Sequence, residues 1–319
     1  MRFGMTLGMN AALVGLALAA GQANAQSLKL LGSASDSDFD VPTSSVVTRS
    51  ASFAGIGEPV TGIGLSARYT TVSGDFGGGA GPWPLDVEMT GITPDSTSGS
   101  TFTPIGGDVT IADFPLANGA RTFPGGVAGN GSWDFEFGST ESVSNWTYGL
   151  RDVQYHLFGD APSVTYSDTV TPDASQQWDR PFFIGGVSAL GPVAFDVLEF
   201  TVDVSGVYEF ESVLSSGSDH FTFLYDGAFD ASQSLENLVN YGLGNGNDPF
   251  GSPRGTSSFD HLLMAGETYY FVTSQWASFS TLAASANSIV GPGSVTVIPA
   301  PASVAMLAAS SLLVTRRRR

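Results

Sequence analysis

Three histidines, His156, His220 and His261, are the side chains of this sequence whose ordinary pKa lies nearest neutrality. Their spacing matches no metal-ligand pattern, and the zinc motif HExxH is absent. Each histidine falls in a segment whose pattern predicts a strand. We therefore expect each to lie on a polar strand face, and the sequence predicts no catalytic residue among them.

Nucleophilic and paired-carboxylate chemistry have weak support. A serine nucleophile on a strand-to-helix elbow needs G-x-S-x-G, and the nearest match, residues 185–189, lacks the second glycine at the required offset. Thirty acidic residues leave a glycosidase pair open by number alone. These acids mostly alternate with apolar residues, which predicts solvated strand faces. A secreted hydrolase of unfamiliar type is therefore the third of our functional hypotheses.

A calcium site is a further hypothesis, because hard cations take six to eight oxygen ligands from carboxylates, amides and carbonyls. The candidate ligands in one predicted loop system are Asp219, Asp226, Asp230 and Asp248, with Asn245 and Asn247 beside them. Residues 36–40 (DSDFD) form a second acidic segment. Neither matches the twelve-residue EF-hand pattern. Ordinary turn chemistry, in which such side chains bind their own backbone, is the alternative.

The five tryptophans bear on carbohydrate binding, since exposed rings can stack on sugars. Trp133 and Trp146 lie in strand patterns, which predicts core positions. Trp83, Trp178 and Trp276 are flanked by turn residues, and we expect these three to be exposed. An exposed set would favour our second hypothesis, a carbohydrate- or calcium-dependent adhesion module.

The composition predicts β-structure and an acidic surface. The chain has 319 residues, 40 of them glycine and none cysteine, with a formal charge of −18. Glycine-rich turns between aromatic and β-branched runs are typical of antiparallel sheets. So acidic a surface repels phosphate backbones, which argues against a nucleic-acid partner. The absence of cysteine excludes disulfides and thiol catalysis.

The N-terminus has the three parts of a secretory signal peptide. Arg2 precedes an apolar run over residues 11–20, and Ala23-Asn24-Ala25 supplies a small-residue cleavage site. The run is too short to span a bilayer of about 30 Å. We predict that residues 1–25 are a signal peptide and that signal peptidase cleaves between Ala25 and Gln26.

The C-terminus, residues 299–319, has a second three-part layout. Pro299-Ala300-Pro301 precedes an apolar stretch from Ala302 to Thr315, which is short for a permanent membrane anchor. Four arginines, which would stay on the cytoplasmic side, end the chain; they are Arg316, Arg317, Arg318 and Arg319.

This tail resembles the PEP-CTERM sorting signal, the substrate tag of exosortase-type processing systems. The family pattern is Pro-Glu-Pro, a short hydrophobic helix and an arginine-rich end, and Ala300 stands in place of the glutamate. The resemblance implies a planctomycete-like Pro-Ala-Pro variant, cleavage near Pro299 and a transient membrane tether. The family association also implies a role in the envelope, extracellular polysaccharide or biofilm.

Between the ends we predict a flexible entry segment (26–44) and a first β-sandwich (45–160). Leu85, Val87 and Met89 alternate with polar residues, and so do Trp133, Phe135 and Phe137, which predicts half-buried strands. In residues 146–157 the apolar positions switch from even to odd, which predicts a β-bulge near Arg151-Asp152. In residues 85–87, 131–135 and 149–159 this half weakly resembles P-domain-like jelly rolls.

A linker (161–180) and a second β-sandwich (181–298) complete the prediction. Residues 198–204 and 208–211 alternate around a Ser205-Gly206 turn, which predicts a hairpin. Phe221, Phe223 and Tyr225 predict another inward face. Residues 200–208, 219–227, 229–238 and 262–270 resemble the pre-peptidase C-terminal type of β-sandwich. That resemblance implies a secreted accessory module, sometimes calcium-binding.

We therefore predict an all-β chain of two antiparallel, jelly-roll-like β-sandwich domains between a signal peptide and a short C-terminal sorting helix. The leading hypothesis is a non-enzymatic exported cell-surface or extracellular-matrix protein. Its expected partners are signal peptidase and an exosortase-type enzyme, with extracellular polysaccharide as a further candidate and no certain cofactor. The tail would contact the membrane before processing.

Overall fold

The computed structural model describes residues 26–73, 86–96, 99–103, 114–140, 146–183, 186–244 and 253–299. Within these ranges the chain forms strands joined by turns, without a helix, which confirms the all-β prediction. The predicted signal peptide and sorting helix lie outside them. The strands are β1 (Gln26–Ser35), β2 (Phe39–Pro42), β3 (Val47–Phe53), β4 (Gly62–Ser73), β5 (Val87–Ile92), β6 (Gly99–Phe102), β7 (Phe114–Arg121), β8 (Gly131–Ser139), β9 (Thr147–Pro162), β10 (Val164–Val170), β11 (Asp173–Trp178), β12 (Pro181–Phe183), β13 (Gly186–Val187), β14 (Val193–Val202), β15 (Gly206–Leu214), β16 (His220–Asp226), β17 (Leu238–Leu243), β18 (Thr256–Leu263), β19 (Thr268–Gln275), β20 (Ser285–Gly291) and β21 (Val295–Val297).

The strands form two sandwiches that share one sheet. The shared nine-stranded sheet has the order β10-β20-β15-β1-β9-β4-β7, with β18 beside β15 and β2 beside β9. Strands β9 and β4 of this sheet pack on the sheet β3-β8-β5-β6. Strands β15 and β20 pack on the sheet β11-β14-β19-β16-β17, to which β21 is added beside β14. The two sandwiches are therefore joined through β1, which lies between β9 and β15.

Aromatic residues fill the first sandwich, as the alternation predicts. Trp133, Phe135 and Phe137 of β8 are fully buried, while Asp134 and Glu136 between them are partly exposed. The Phe135 ring stacks on Tyr155 of the facing strand β9, with the ring centres 4.2 Å apart. This contact joins the two sheets, and the inward face predicted for β8 is confirmed.

The predicted β-bulge in β9 is also confirmed. Ser66 of β4 pairs with Gln154, whereas Arg68 pairs with Arg151, so β9 contains one extra residue between the two pairs. Asp152 adopts a left-handed conformation with φ of 54°. The extra residue keeps one face of β9 inward on both sides of the bulge; the buried residues are Tyr148, Leu150, Val153, Tyr155 and Leu157.

The prediction of a flexible entry segment over residues 26–44 is wrong. Most of it forms β1 and β2, and β1 pairs with β9 from Gln26 to Ser35. The small residues that suggested flexibility serve close packing, because a Cβ on Gly32 would lie 2.8 Å from Ile56 Cδ1. β1 also carries Leu28, Leu30 and Leu31, and Leu28 is buried, so the segment contributes apolar surface to the interior.

The prediction of a linker over residues 161–180 is wrong as well. β9 ends at Pro162, and β10 pairs with β20 along its whole length, from Val164 to Val170. β11 follows and pairs with β14. β10 lies at the edge of its sheet and is mostly exposed, which explains a polar composition that resembles a linker.

The predicted hairpin around Ser205-Gly206 does not form. β14 pairs with β19 in one sheet, while β15 pairs with β18 and β20 in the other. The chain crosses between the sheets here, so the Phe200 and Phe210 rings face each other across the sandwich at 6.2 Å. Alternation identifies the inward face of each strand correctly, but it does not identify the strand's partner.

Candidate functional site

The structure separates Asp219 from Asp226, two of the predicted calcium ligands. Asp219 precedes β16 and Asp226 ends it, seven positions further on, so about 23 Å of strand separates them. Asp219 accepts a hydrogen bond from Arg254 Nε at 2.5 Å. Asp230 accepts hydrogen bonds from the Ser232 backbone N–H and from its hydroxyl, both at 2.8 Å. This is the ordinary turn chemistry that was the alternative to calcium binding. Asn245, Asn247 and Asp248 lie outside the described residues.

The second acidic segment is engaged by arginines. Arg49 donates to both carboxylate oxygens of Asp36, and Arg151 donates to Asp40 at 2.6 Å. Asp38 accepts from the backbone N–H of Asp152, the bulge residue, at 3.0 Å. Across the described parts of the chain, no three histidine or acidic side chains form a group that could hold a metal ion.

Two of the tryptophans predicted to be exposed are at least partly buried, and Trp83 lies outside the described residues. Trp178 is 2% exposed, and its Nε1 donates to Ser274 at 3.1 Å. Trp276 is half-buried. Of the two tryptophans predicted as core, Trp133 is fully buried and Trp146 half-buried. Turn residues flank Trp178 because its strand ends there, and the ring points into the core.

Trp276 covers a buried cation that the sequence patterns do not reveal. Arg180 is fully buried, with its guanidinium 4.0 Å from the Phe221 ring centre and 5.3 Å from that of Trp276. It donates to the Trp276 carbonyl at 2.9 and 2.6 Å and to the Pro181 carbonyl at 2.8 Å. Burial lowers the pKa of Arg180 to about 10. Arg180 therefore ties together two loops at one end of the sandwich.

The three histidines lie on strands, as predicted, but not on polar faces. His156, His220 and His261 are 1%, 2% and 5% exposed. His156 hydrogen-bonds to Ser33 on β1 and Ser66 on β4, both at 2.8 Å. Burial lowers the pKa of each histidine to about 4, so all three are neutral at pH 7. Hydrogen bonds to serine let the rings of His156 and His220 occupy interior positions, and Asn240 Nδ2 lies 3.5 Å from Nδ1 of His261.

A layer of polar side chains crosses the interior of the second sandwich. The strand registers align Asp168, Asn287, Ser212 and Ser257 on the shared sheet, and Asp196, Thr273, Thr222 and Gly242 on the facing sheet. Three hydrogen bonds join the sheets here; they are Asn287 to Thr273 at 2.8 Å, Thr222 to Ser257 at 2.7 Å and His220 to Ser212 at 3.0 Å. We define these residues as the polar layer.

The polar layer ends at a sheet edge with two carboxyl groups. Asp168 is exposed, while Asp196 is half-buried, and burial together with Asp168 and Asp173 raises the pKa of Asp196. At one end of the sandwich, a cavity of about 10 Å³ lined by His220, Thr273 and Leu282 among others adjoins the layer and has room for about one water molecule. His220 Nδ1 and Ser285 Oγ are buried there without a hydrogen-bond partner; both residues line the cavity.

The polar layer contains a serine–histidine pair, the Ser212–His220 hydrogen bond, in addition to the bonds of His156 to Ser33 and Ser66. Ser212 is fully buried between strands, and its hydroxyl is out of reach of a substrate. The pair therefore has the elements of a nucleophile and base without access. Sequence reasoning missed this layer, although its signal is present, since Ser212 follows Tyr208 and Phe210 at the next inward position.

The predicted processing positions lie at the two ends of the described chain. Gln26 is the exposed first residue of β1, and Pro299 is exposed two residues after β21. Ala25, Ala300 and Pro301 lie outside the described residues, as do the terminal arginines Arg316, Arg317, Arg318 and Arg319. Within the described ranges, no helix has the length and apolar character needed to cross a membrane.

Comparisons with known proteins give distant structural similarities. No family model and no curated protein matches this sequence. A peptide-N(4)-(N-acetyl-β-D-glucosaminyl) asparagine amidase has 9% identity and a TM-score of 0.25, covering 85% of this chain and 97% of its own. A secreted protein described as putative from Eubacterium rectale has 8% identity and a TM-score of 0.20, covering 80% and 74%. Isomalto-dextranase of Arthrobacter globiformis T6 has 10% identity and a TM-score of 0.21, covering 80% and 35%.

Proposed function

We propose that this chain is a non-enzymatic, exported cell-surface or extracellular-matrix protein that an exosortase-type system processes. The supporting observation is that Gln26 and Pro299, the residues beside the two predicted cleavage positions, are both exposed, the first at an end of β1 and the second two residues after β21. The strand pairings described above lie within residues 26–299, so cleavage at the two predicted positions would leave those pairings in place. The sorting-signal resemblance of residues 299–319 is part of this proposal.

The N-terminal junction fits cleavage before Gln26. Gln26 pairs with Pro162 at the end of β9, and its carbonyl accepts a hydrogen bond from Arg121 Nη2 at 3.1 Å. Gln26 is nevertheless exposed, because it lies at the very end of the strand. A mature chain that begins at Gln26 would therefore keep all of β1, the strand that joins the two sandwiches.

The C-terminal junction is accessible. The Ile298 backbone N–H donates to the Glu199 carbonyl at 2.8 Å, which holds the chain against β14 up to that residue. Pro299 comes next and is exposed. A processing enzyme that cleaves near Pro299 would therefore meet a peptide outside the sheet, and cleavage would break no strand pairing among the described residues.

The chemistry of the interior supports a structural rather than a catalytic role. Each histidine is buried and neutral, and the Ser212–His220 pair is enclosed between two sheets. Without disulfides, stability outside the cell would come from aromatic burial in both sandwiches. The acidic surface suits a saline exterior, and extracellular polysaccharide remains the proposed partner in the matrix.

Mass spectrometry of the protein from its native host tests this proposal. We expect a mature N-terminus at Gln26 and a C-terminus near Pro299, with any attached group visible as added mass. A variant in which the four terminal arginines are replaced by serine should keep the first cleavage and lose the second. An intact chain recovered from the cytoplasm with both termini uncut would overturn the proposal.

A further inference from the structure

One end of the second sandwich carries an exposed apolar surface, which we name the apolar end. It consists of residues 181–183 and 186–192, in and after β12 and β13, and residues 276–284, between β19 and β20. Neither segment contains a charged residue, in a chain with 30 acids. Its exposed apolar side chains include Phe182 at 48%, Val187 at 51%, Phe279 at 80% and Leu282 at 38%. Clustered exposure of this kind marks an interaction site.

Hydrogen bonds hold the two segments of the apolar end together. The Ser278 backbone N–H donates to the Leu190 carbonyl at 3.0 Å, and the Ser188 N–H donates to the Arg180 carbonyl at 2.9 Å. Arg180 crosses between the segments through its bonds to the carbonyl of Trp276. Phe182 and Phe279 thus project from a framework that is internally bonded, and their exposure is a property of the fold.

The C-terminal strand runs toward this end. β21 is antiparallel to β14, with Val295 opposite Val202 and Val297 opposite Phe200, so the chain moves toward Val193 as it proceeds. Val193 begins β14 directly after the first apolar segment. The level of the apolar end lies about five residues beyond Pro299 along this direction. An extended chain would cover that distance, about 17 Å, in passing β11. The apolar part of the tail begins at Ala302.

The net charge of the protein favours a neutral membrane surface over an anionic one. The formal charge of −18 opposes approach to anionic lipid headgroups, and the apolar end has no basic residue to offset that repulsion. Phenylalanine and leucine side chains enter the boundary between headgroups and acyl chains, to a depth of about 5–10 Å. A neutral, zwitterionic bilayer therefore fits the apolar end in both hydrophobicity and charge.

We infer that the apolar end docks on the surface of a zwitterionic lipid bilayer while the C-terminal segment of the same molecule lies in that membrane. This inference rests on the proposed function, because the tether brings the sandwich to the membrane. Docking gives the tethered protein a defined orientation, with the second sandwich toward the lipid and Pro299 held about 17 Å from the level of the apolar end, where a membrane-bound processing enzyme can reach it.

The cysteine-free sequence permits a test with single labels on the full chain. Phe279→Cys places one environment-sensitive fluorophore on the apolar end. Met264→Cys is the matched control, because Met264 is an exposed apolar residue, at 41%, in the β18–β19 turn at the opposite end of the sandwich. Both labelled proteins are mixed with phosphatidylcholine vesicles, and lipids with quenchers at known depths report the position of each label.

We expect both proteins to float with the vesicles, and only the label at residue 279 to shift to shorter wavelength and to be quenched by shallow acyl-chain quenchers. In a Phe182→Ser/Phe279→Cys chain the shift should become smaller. Added anionic lipid should also weaken it. Flotation without a shift at residue 279, or equal shifts at both positions, would overturn docking and leave the tether intact.

Other outcomes separate the two proposals further. If the full chain does not float, the tether fails, and docking that depends on it fails too. A shift at residue 279 that grows with protein concentration in the absence of vesicles would show that the apolar end binds a second copy of the chain, and would overturn docking on lipid.

Discussion

The Arg49 guanidinium binds both oxygens of the Asp36 carboxylate, with Nε 2.7 Å from Oδ2 and Nη2 2.6 Å from Oδ1. The Tyr155 hydroxyl donates to the same Oδ2 at 2.8 Å. Arg49 lies on β3, and Tyr155 lies on β9 of the facing sheet. Asp36, which directly follows β1, therefore joins the two sheets of the first sandwich through one charged network.

Replacing this carboxylate with an amide should destabilise the protein. Asp36→Asn removes a bidentate charged hydrogen bond, and we expect a loss of about 2 kcal/mol in the free energy of unfolding. Urea unfolding at neutral pH measures it. Glu136→Gln, on the partly exposed face of β8, is the control and should change the free energy by less than about 0.5 kcal/mol. Equal effects of the two substitutions would contradict the role of the network.

The same pair predicts a pH dependence. The Arg49 guanidinium holds the pKa of Asp36 well below its usual range, whereas in the unfolded chain it returns to about 3.9. The stabilisation is therefore complete above that value and is lost as the pH falls below it. The gap between the native protein and Asp36→Asn should narrow in acid. A gap that widens as the pH falls would argue against this assignment.

The buried histidines predict acid sensitivity at higher pH. Burial lowers the pKa of His156 to about 4, below the value of about 6.5 in the unfolded chain. Between these values the unfolded chain binds one more proton than the folded chain. The free energy of unfolding therefore falls by about 1.4 kcal/mol for each unit by which the pH is lowered, for each such group. His156→Gln, which can still bond Ser33 and Ser66, should reduce this slope by one group's share. Urea unfolding of both proteins across this pH range measures the slope of stability against pH. An equal slope in the native protein and in His156→Gln would refute the prediction.

The Thr222–Ser257 hydrogen bond in the polar layer should behave as a coupled pair. Ser257→Ala or Thr222→Val alone leaves one buried hydroxyl without a partner and should cost about 1–3 kcal/mol. The double variant should cost less than the sum, because both polar groups are gone. The exposed pair Thr90–Thr101 provides the matched cycle on β5 and β6. Additive effects at the buried pair would contradict the prediction.

Arg180 predicts a difference between arginine and lysine. Arg180→Lys cannot reach the Trp276 and Pro181 carbonyls together while stacking on the Phe221 ring, so we expect a loss of about 3 kcal/mol. Thermal unfolding measures it. Arg254→Lys is the control, because that arginine is 66% exposed beside Asp219 and should contribute less than about 1 kcal/mol. Similar effects at both positions would show that Arg180 does not hold the loops together.

The alternation of apolar and polar residues along the chain was sufficient to predict several features of the fold. A shift in the apolar positions around Arg151-Asp152 predicted the β-bulge, because a strand with one buried face can change phase only by adding a residue. The alternation through Trp133, Phe135 and Phe137 predicted the inner face of β8 for the same reason. These features depend only on neighbours along the chain, and the period-2 geometry of a strand exposes them directly.

Tertiary structure decided which strands meet. The alternation on either side of Ser205-Gly206 predicted a hairpin, but β14 and β15 lie in opposite sheets. β1 lies in a segment predicted to be flexible and still joins both sandwiches. Aspartates that looked like one loop system, Asp219 and Asp226, are separated by the full length of β16. Alternation records which face of a strand is buried, whereas strand partners, and with them the polar layer and the Arg180 contact, depend on residues far apart in the chain.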